Sequence, residues 1–349
     1  MEKIAFISGG VFIYWSSIIL TLAVLAAMAV YAGMYIQKSG NILAAAVTLP
    51  VAMVLSAILA RLIHWYCRTD SYSSLTEALT DYSWGGYALM GVFIGCLLTA
   101  LLLRGLGISK NLKEMLDSMV MGGGVGITVG RMASFFNASD RGILVSDEIG
   151  LPFAYQVVNT VSGAVENRLA TFMIQAMVTG ALVVLLFVYM MVCKIRKKKL
   201  IDGDICLMFL TVYGLSQILL DSTRYDSLFM RSNGFISIVQ ILSLGAVLVP
   251  LVWFSVRMVK NQGLKFYQFL LWIATLGMMG GAGYMEYYVQ RHGDQAAYAY
   301  SIMGACLAGI GLLVLVIRAI SLLPKKVKPV VAETAEEAPA EEVQAPAEN

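Results

Sequence analysis

An all-helical integral membrane protein, a polytopic bundle of about nine transmembrane helices, is the fold class predicted by three features of the sequence. The 349 residues are 59% hydrophobic and 13% charged, and the charged share is about half that of a soluble domain. Apolar stretches of about 20 residues, each long enough to cross a bilayer as a helix, recur along the chain. The Lys and Arg residues between them concentrate on alternate loops, the asymmetry that sets orientation in a membrane. A helix satisfies its own backbone hydrogen bonds, which lipid cannot do for it.

The predicted spans are 11–33, 45–66, 84–104, 115–136, 169–193, 204–222, 235–257, 266–286 and 300–322. Lys3 ahead of the first run, with Ala27-Met28-Ala29 inside it, resembles a signal peptide. A cleavable signal has a shorter apolar run of about 7–15 residues, so this segment reads as the first span. Lys38, then Arg104, Lys110 and Lys113, then Lys194 and Arg196 to Lys199, then Arg257, Lys260 and Lys265 follow the odd-numbered spans. Arg318, Lys325, Lys326 and Lys328 close the ninth. The opposite loops hold only scattered cations, Arg68, Arg141, Arg168, Arg224, Arg231 and Arg291. The N-terminus is therefore expected outside and the C-terminus in the cytoplasm. The organisation expected is a seven-helix core over 1–257, two additional helices over 258–323, and an acidic Ala/Pro/Glu tail over 324–349. The tail is too polar to order itself by burial.

Other classes are disfavoured. The net charge of +3 is small and distributed by membrane side, so no nucleic-acid partner is expected. The five cysteines include no CxxC, and His64 and His292 are the two histidines. Small buried cysteines are the reading, and no metal or cofactor is expected. No internal repeat of the transporter kind is evident.

Polar chemistry gathers at the outer ends of the spans. Arg61 lies near the end of the second, Arg131 near the end of the fourth, and Arg224 just past the sixth, three residues beyond Asp221. An intramembrane Arg costs upward of about 2.5 kcal/mol and therefore faces a partner or a wet cavity. Snorkelling to the interface is the plain alternative for any one of them. For three on separate helices, with Asp221 and Asn137 at the same depth, an anionic headgroup pocket is the reading preferred, because guanidinium forks match phosphate geometry. Asp221 and Arg224 have the spacing of a helical ion pair. Gly122-Gly123-Gly124, Gly126 and Gly130 read as a close-packing face.

The stretch Gly130-Arg131-Met132-Ala133-Ser134-Phe135-Phe136-Asn137, followed by Gly142, resembles the GRxGNFxNxExxG signature of the prolipoprotein diacylglyceryl transferase family. Tyr213-Gly214 with Asp221, Arg224 and Gln240-Ile241-Leu242-Ser243 is similar to that family's YGxxRxxxExxR and QxLS. Gly85-Gly86 with Gly91 is similar to its GGMxFHGG. The order is kept from about residue 11 to 257. The resemblance implies a protein of the bacterial cytoplasmic (inner) membrane. Its partners would be the lipid bilayer, phosphatidylglycerol and lipobox-containing preprolipoproteins. The reaction it implies transfers a diacylglyceryl group to the lipobox cysteine thiol and releases glycerol phosphate. The residues it implicates in catalysis are Arg131, Asn137, Asp221 and Arg224. Arg61, Ser134, Gly142, Tyr213, Gln217, Gly85 and Gly86 are implicated in substrate binding.

The chain departs from the family pattern at Ser134 for Asn, Ser139 for Glu, Gln217 for Arg, Asp221 for Glu, Met90 for His, Ser16 for Tyr, and Ile174-Gln175 for a Tyr-Glu pair. With Met90 in the histidine position, His64 is the candidate base, one helical turn beyond Arg61. A simple interfacial histidine beside Trp65 and Tyr66 is its alternative. A catalytically silent paralogue that binds phospholipid or lipoprotein precursor is the second functional reading. A transporter is the third, disfavoured by the lack of ionisable residues deep in the membrane.

Overall fold

The computed structural model describes residues 3–81, 86–136, 141–145, 153–158, 163–230 and 233–324. Beyond Pro324, the acidic tail lies outside the described residues. Among the described residues the chain forms nine helices of 17 to 26 residues, one short helix and three two-stranded hairpins.

The first hairpin pairs β1 (Ile4–Ser8) with β2 (Val11–Tyr14) antiparallel. Gly9 and Gly10 have φ of +56° and +81°, and a two-residue turn that follows the strands' right-handed twist requires positive φ at both positions. The first helix, α1 (Trp15–Ser39), therefore starts at Trp15 and not at residue 11. Short apolar runs rich in β-branched and aromatic residues fit strand and helix alike, and here hairpin pairing decides for the strand.

Helix α2 (Ile42–Cys67) is capped by Asn41, whose side chain accepts from the Ala44 N–H. A 3-10 turn (Thr69–Ser71) and the short α3 (Leu75–Thr80) lead to α4 (Leu89–Gly105). Helix α5 (Leu112–Gly130) runs into a 3-10 turn, Arg131–Phe135. The hairpin of β3 (Ala154–Val158) and β4 (Val165–Leu169) precedes α6 (Thr171–Ile195) and α7 (Asp204–Ser222). A third hairpin, β5 (Phe229–Met230) with β6 (Asn233–Ser237), precedes α8 (Ile238–Gln262). Here too the predicted span begins early. Ser237 Oγ accepts from the Gln240 N–H at 3.0 Å and Gln240 Oε1 accepts from the Ser237 N–H at 3.1 Å, a capping box that starts the helix at Ile238. Helices α9 (Phe266–Arg291) and α10 (Ala296–Ser321) complete the bundle.

Six of these helices, α1, α2, α6, α7, α8 and α10, are long and apolar enough to cross a membrane, while α4 is apolar but shorter. The protein is a polytopic helical membrane protein. Helix α1 packs on α5, α2 on α4, α7 on α8, and α10 on α7, α8 and α9. A Cβ at Gly122 would lie 2.5 Å from the Ala27 carbonyl oxygen of α1, and one at Gly91 would strike the backbone of Ala60 in α2. Small residues let these backbones meet without a side chain between them. One buried cluster joins Met121, Leu182, Phe209 and Tyr213 across α5, α6 and α7. Another joins Leu215, Phe254, Ala282, Met303 and Ile310, so α9 and α10 share a core with α7 and α8. All five cysteines are free.

Charges at one end of the bundle tie the helices together. Asp204, 1% exposed, receives Arg257 Nη1 at 2.7 Å and Nη2 at 3.2 Å, and Arg318 Nε at 3.1 Å. Arg318 also donates to Tyr189 Oη at 2.7 Å. The carboxylate of Asp117 in α5 accepts from the N–H groups of Gly203 and Cys206 at 2.9 and 2.8 Å, so one helix caps the start of another. Replacing Asp204 by Ala leaves the buried Arg318 and the half-buried Arg257 without their counter-charge. That should destabilise the protein by about 3–5 kcal/mol, the cost of breaking a buried pair from one side. Thermal unfolding of the detergent-purified variant, with an Asp117→Ala comparison, measures it.

Candidate functional site

Arg61 is 2% exposed near the end of α2, and its donors point at the loop that follows. Nε donates to the Ala78 carbonyl at 2.7 Å and Nη1 to the Gly86 carbonyl at 3.2 Å and to Tyr72 Oη at 3.3 Å. Nη2 donates to the Asp81 carbonyl. The guanidinium also lies 5.4 and 5.2 Å from the ring centres of Tyr72 and Tyr87. The loop thus folds back over the helix that carries Arg61, and Ala88 N–H closes it onto the Ala60 carbonyl at 3.1 Å. His64, one turn on, has Nδ1 2.9 Å from Tyr72 Oη. Tyr72 Oη is thus within hydrogen-bonding distance of both the Arg61 guanidinium and His64 Nδ1. Gly86, at φ +77°, leaves room for this arrangement: a Cβ there would lie 2.7 Å from Tyr72 Oη and 2.9 Å from the His64 ring. Gly85 lies outside the described residues.

Arg131 enters the 3-10 turn at the end of α5, half-buried, and Ser134 is buried within it. Phe135 meets Phe172 of α6 edge to face at 4.7 Å, which fixes the turn against that helix. Asn137 lies outside the described residues.

The segment beyond the turn is threaded between the ends of β4 and α7. Gly142 N–H donates to the Leu169 carbonyl, Ile143 N–H to the Thr223 carbonyl and Tyr225 N–H to the Arg141 carbonyl, each at 2.9 Å. Gly142 and Arg224 form a β-bridge. No other residue fits at Gly142, where a Cβ would lie 2.5 Å from the Leu169 carbonyl oxygen and 2.6 Å from Thr171 Oγ1. Arg168, read from the sequence only as a scattered outer cation, belongs to this junction. It donates to the Gly142 carbonyl at 3.2 Å, pairs with Glu166 at 2.8 Å, and lies 4.6 Å from the Tyr225 ring centre. No sequence signal marks it, because its role depends on β4 meeting residues 141–145.

Arg224 does not make the helical ion pair with Asp221 that their spacing predicted. Helix α7 ends at Ser222, and Arg224 instead pairs with Asp226 at 3.0 Å. Asp221, 3% exposed, accepts from Ser237 Oγ on Oδ2, while its Oδ1 is buried without a hydrogen-bond partner. Tyr213, Gln217 and Asp221 lie four residues apart on α7 and are all buried, so they share one inward face. Gln175 Nε2 from α6 reaches into that face, donating to Gln217 Oε1 at 2.6 Å and Tyr213 Oη at 3.1 Å. Met90 packs in the apolar cluster that contains Tyr213. Arg68, at the end of α2, donates to the Ser227 carbonyl at 3.5 Å and links the Arg61 loop to the segment after α7.

Residues 3–256 match the sequence model of the prolipoprotein diacylglyceryl transferase family. The chain is also similar to the phosphatidylglycerol–prolipoprotein diacylglyceryl transferase of Finegoldia magna, with 28% identity covering 72% of this chain and 94% of the relative. The proteins of that name from Bacillus mycoides and Clostridioides difficile are 25% and 22% identical, covering 76% and 75% of this chain and 96% and 98% of their own lengths.

If the Arg61 clamp shapes the loop, Arg61→Lys should release it, since a single ammonium nitrogen cannot reach carbonyls that are met by three separate nitrogens of the guanidinium. Each charge-assisted bond lost is worth about 1.5–3 kcal/mol. Amide hydrogen exchange over residues 68–81 should accelerate at least about tenfold, with exchange in α6 unchanged.

Proposed function

The chain belongs to the prolipoprotein diacylglyceryl transferase family, and from that premise we propose that it transfers the diacylglyceryl group of phosphatidylglycerol to the lipobox cysteine of preprolipoproteins. The bridge between Gly142 and Arg224 carries the reading. It joins the two stretches most similar to the family, 130–142 and 213–224, which lie far apart in sequence. The proposed setting is the bacterial cytoplasmic membrane, crossed nine times, with the N-terminus and this site outside and the tail in the cytoplasm. Residues 1–257 form the transferase-like core, and 258–323 add two further spans.

In the proposed reaction the thiol sulfur bonds to the glyceryl carbon as that carbon's bond to the phosphate oxygen breaks. Glycerol phosphate departs with the electron pair. Arg131 and Arg224 are assigned to stabilise the charge gathering on the phosphate, with Asn137 as a further catalytic residue and Ser134 in substrate binding. Arg61 positions the loop through its carbonyl contacts and does not itself touch phosphate. Proton removal is assigned to Tyr72 and His64 together: the Tyr72 oxygen takes the thiol proton as its own passes to His64 Nδ1, with Arg61 holding the Tyr72 oxygen in place. Tyr72→Phe should lower kcat about 100-fold or more with little change in KM, the size expected for loss of a general base. An assay of thioether product from a lipobox peptide reads this directly, with Arg131→Ala as the inactive control.

The resemblance places Glu and Arg where this chain has Gln175 and Gln217. The side-chain hydrogen bond from Gln175 Nε2 to Gln217 Oε1 at 2.6 Å joins two neutral amides at these positions. Gln217→Arg alone buries an uncompensated charge and should fold poorly. Gln217→Arg with Gln175→Glu should recover expression and raise turnover at least about tenfold, as a second phosphate-facing cation would.

The same amide pair, with Met90 in an apolar cluster, favours the silent paralogue as the second reading. Growth of a strain depleted of its own transferase, rescued by this chain and not by its Arg131→Ala variant, establishes catalysis. No rescue and no thioether product above that control, with phosphatidylglycerol still bound, assigns the silent role.

A further inference from the structure

A cavity of about 190 Å³ lies where α7 and the start of α8 meet α9 and α10, lined among others by Asp221, Ser222, Glu286, Gln290 and Tyr300. Helices α9 and α10 fall outside the family match, which stops at residue 256, so one wall of this cavity is peculiar to the added part of the chain.

The lining is rich in acceptors left open. Asp221 is anchored through Oδ2 by Ser237, and its Oδ1 has no partner although the residue is 3% exposed. Glu286 is anchored in the same way: Gln290 Nε2 donates to Oε1 at 3.1 Å, and Oε2 is buried without a partner. Ser222 Oγ is the third buried polar atom without one. Tyr300 Oη already donates to the Ser222 carbonyl at 3.0 Å, and Arg224, which also lines the cavity, is paired with Asp226. Two carboxylates on separate helices, each fixed by one oxygen and presenting the other, require donors. Among the described residues there is no grouping of three or more His, Cys, Asp or Glu suited to a metal ion.

We propose that this seam binds a primary ammonium group. Three N–H donors match the three open atoms in number: Asp221 Oδ1, Glu286 Oε2 and Ser222 Oγ. A quaternary ammonium has no N–H to offer them. The space, several times that of one water at about 30 Å³, admits an aminoalkyl group. Two sources share this chemistry, the ethanolamine headgroup of a phospholipid and the side chain of a lysine in a peptide. The site stands whether or not the chain turns over phosphatidylglycerol, because its readout is binding.

Native mass spectrometry of the full-length protein in detergent tests it, with phosphatidylethanolamine, its N-acetylated form, phosphatidylcholine and phosphatidylglycerol as probes. A lysine-containing lipobox peptide and its N-acetyl-lysine counterpart form the second arm. The free amine of at least one arm should bind at least tenfold more tightly than its acetylated form. Glu286→Gln should remove that preference while leaving phosphatidylglycerol binding unchanged. Glu286→Lys, which supplies an ammonium from within, should remove it too. Preference in the lipid arm assigns a headgroup, and preference in the peptide arm assigns the substrate chain. Equal binding of free and acetylated amines in both arms, as when the two carboxylates share a proton, overturns the proposal. So does a preference that survives Glu286→Gln.

Discussion

A guanidinium almost wholly withdrawn from solvent must find acceptors inside the protein, and Arg61 finds them in the carbonyls of Ala78, Asp81 and Gly86. That requirement shapes one end of the bundle. It folds residues 68–81 and 86–88 back over α2, sets Tyr72 against His64, and holds Gly86 in a conformation only glycine adopts readily. Arg68 extends the same loop to the segment after α7. A leucine at position 61 would satisfy the lipid and leave the loop without a centre.

The opposite end answers the same constraint with carboxylates. Asp204 gathers Arg257 and Arg318, and Asp117 supplies acceptors to the first N–H groups of α7. Since Arg257 belongs to α8 and Arg318 to α10, this knot joins the family-like part of the chain to the helices beyond it. With the shared core of Phe254, Met303 and Ile310, it makes α9 and α10 a wall of the bundle and not an appendage. The cavity at the far end of that wall follows from their packing.

Between these ends the polar interior of α7 carries an amide at Gln217 and a carboxyl group at Asp221. An amide pair such as Gln175–Gln217 needs no counter-ion and tolerates a dry setting, whereas buried ions demand near-complete hydrogen bonding. Asp221 and Glu286 are incompletely bonded, and each contributes an open oxygen to the same cavity. Two buried carboxylate oxygens open to one cavity mark the seam as a place for a ligand.

The helical class and most of the bundle were legible in the sequence, because an apolar run of span length has few other structures open to it in lipid. Arg131, Gly142, Asp221 and Arg224 were legible as motif positions. Gly122 was legible as a small residue whose neighbours had to be close, and Gly91 as a motif position. Helix starts at Trp15 and Ile238 were not, since Val11–Tyr14 and the residues before Ser237 are apolar in either conformation and only hairpin pairing and a capping box decide between them. The expected pairing of Asp221 with Arg224 failed because α7 ends between them. Arg168 and Glu286 carried no local signal, since each acquires its place from segments far away in the chain, and Tyr72 acquires its place only when its loop folds back onto Arg61 and His64. The sequence by itself determined that this is a multi-spanning helical protein of a lipid-handling transferase family. Only the tertiary structure decided where each buried charge finds its partner, because that depends on which distant segments pack together.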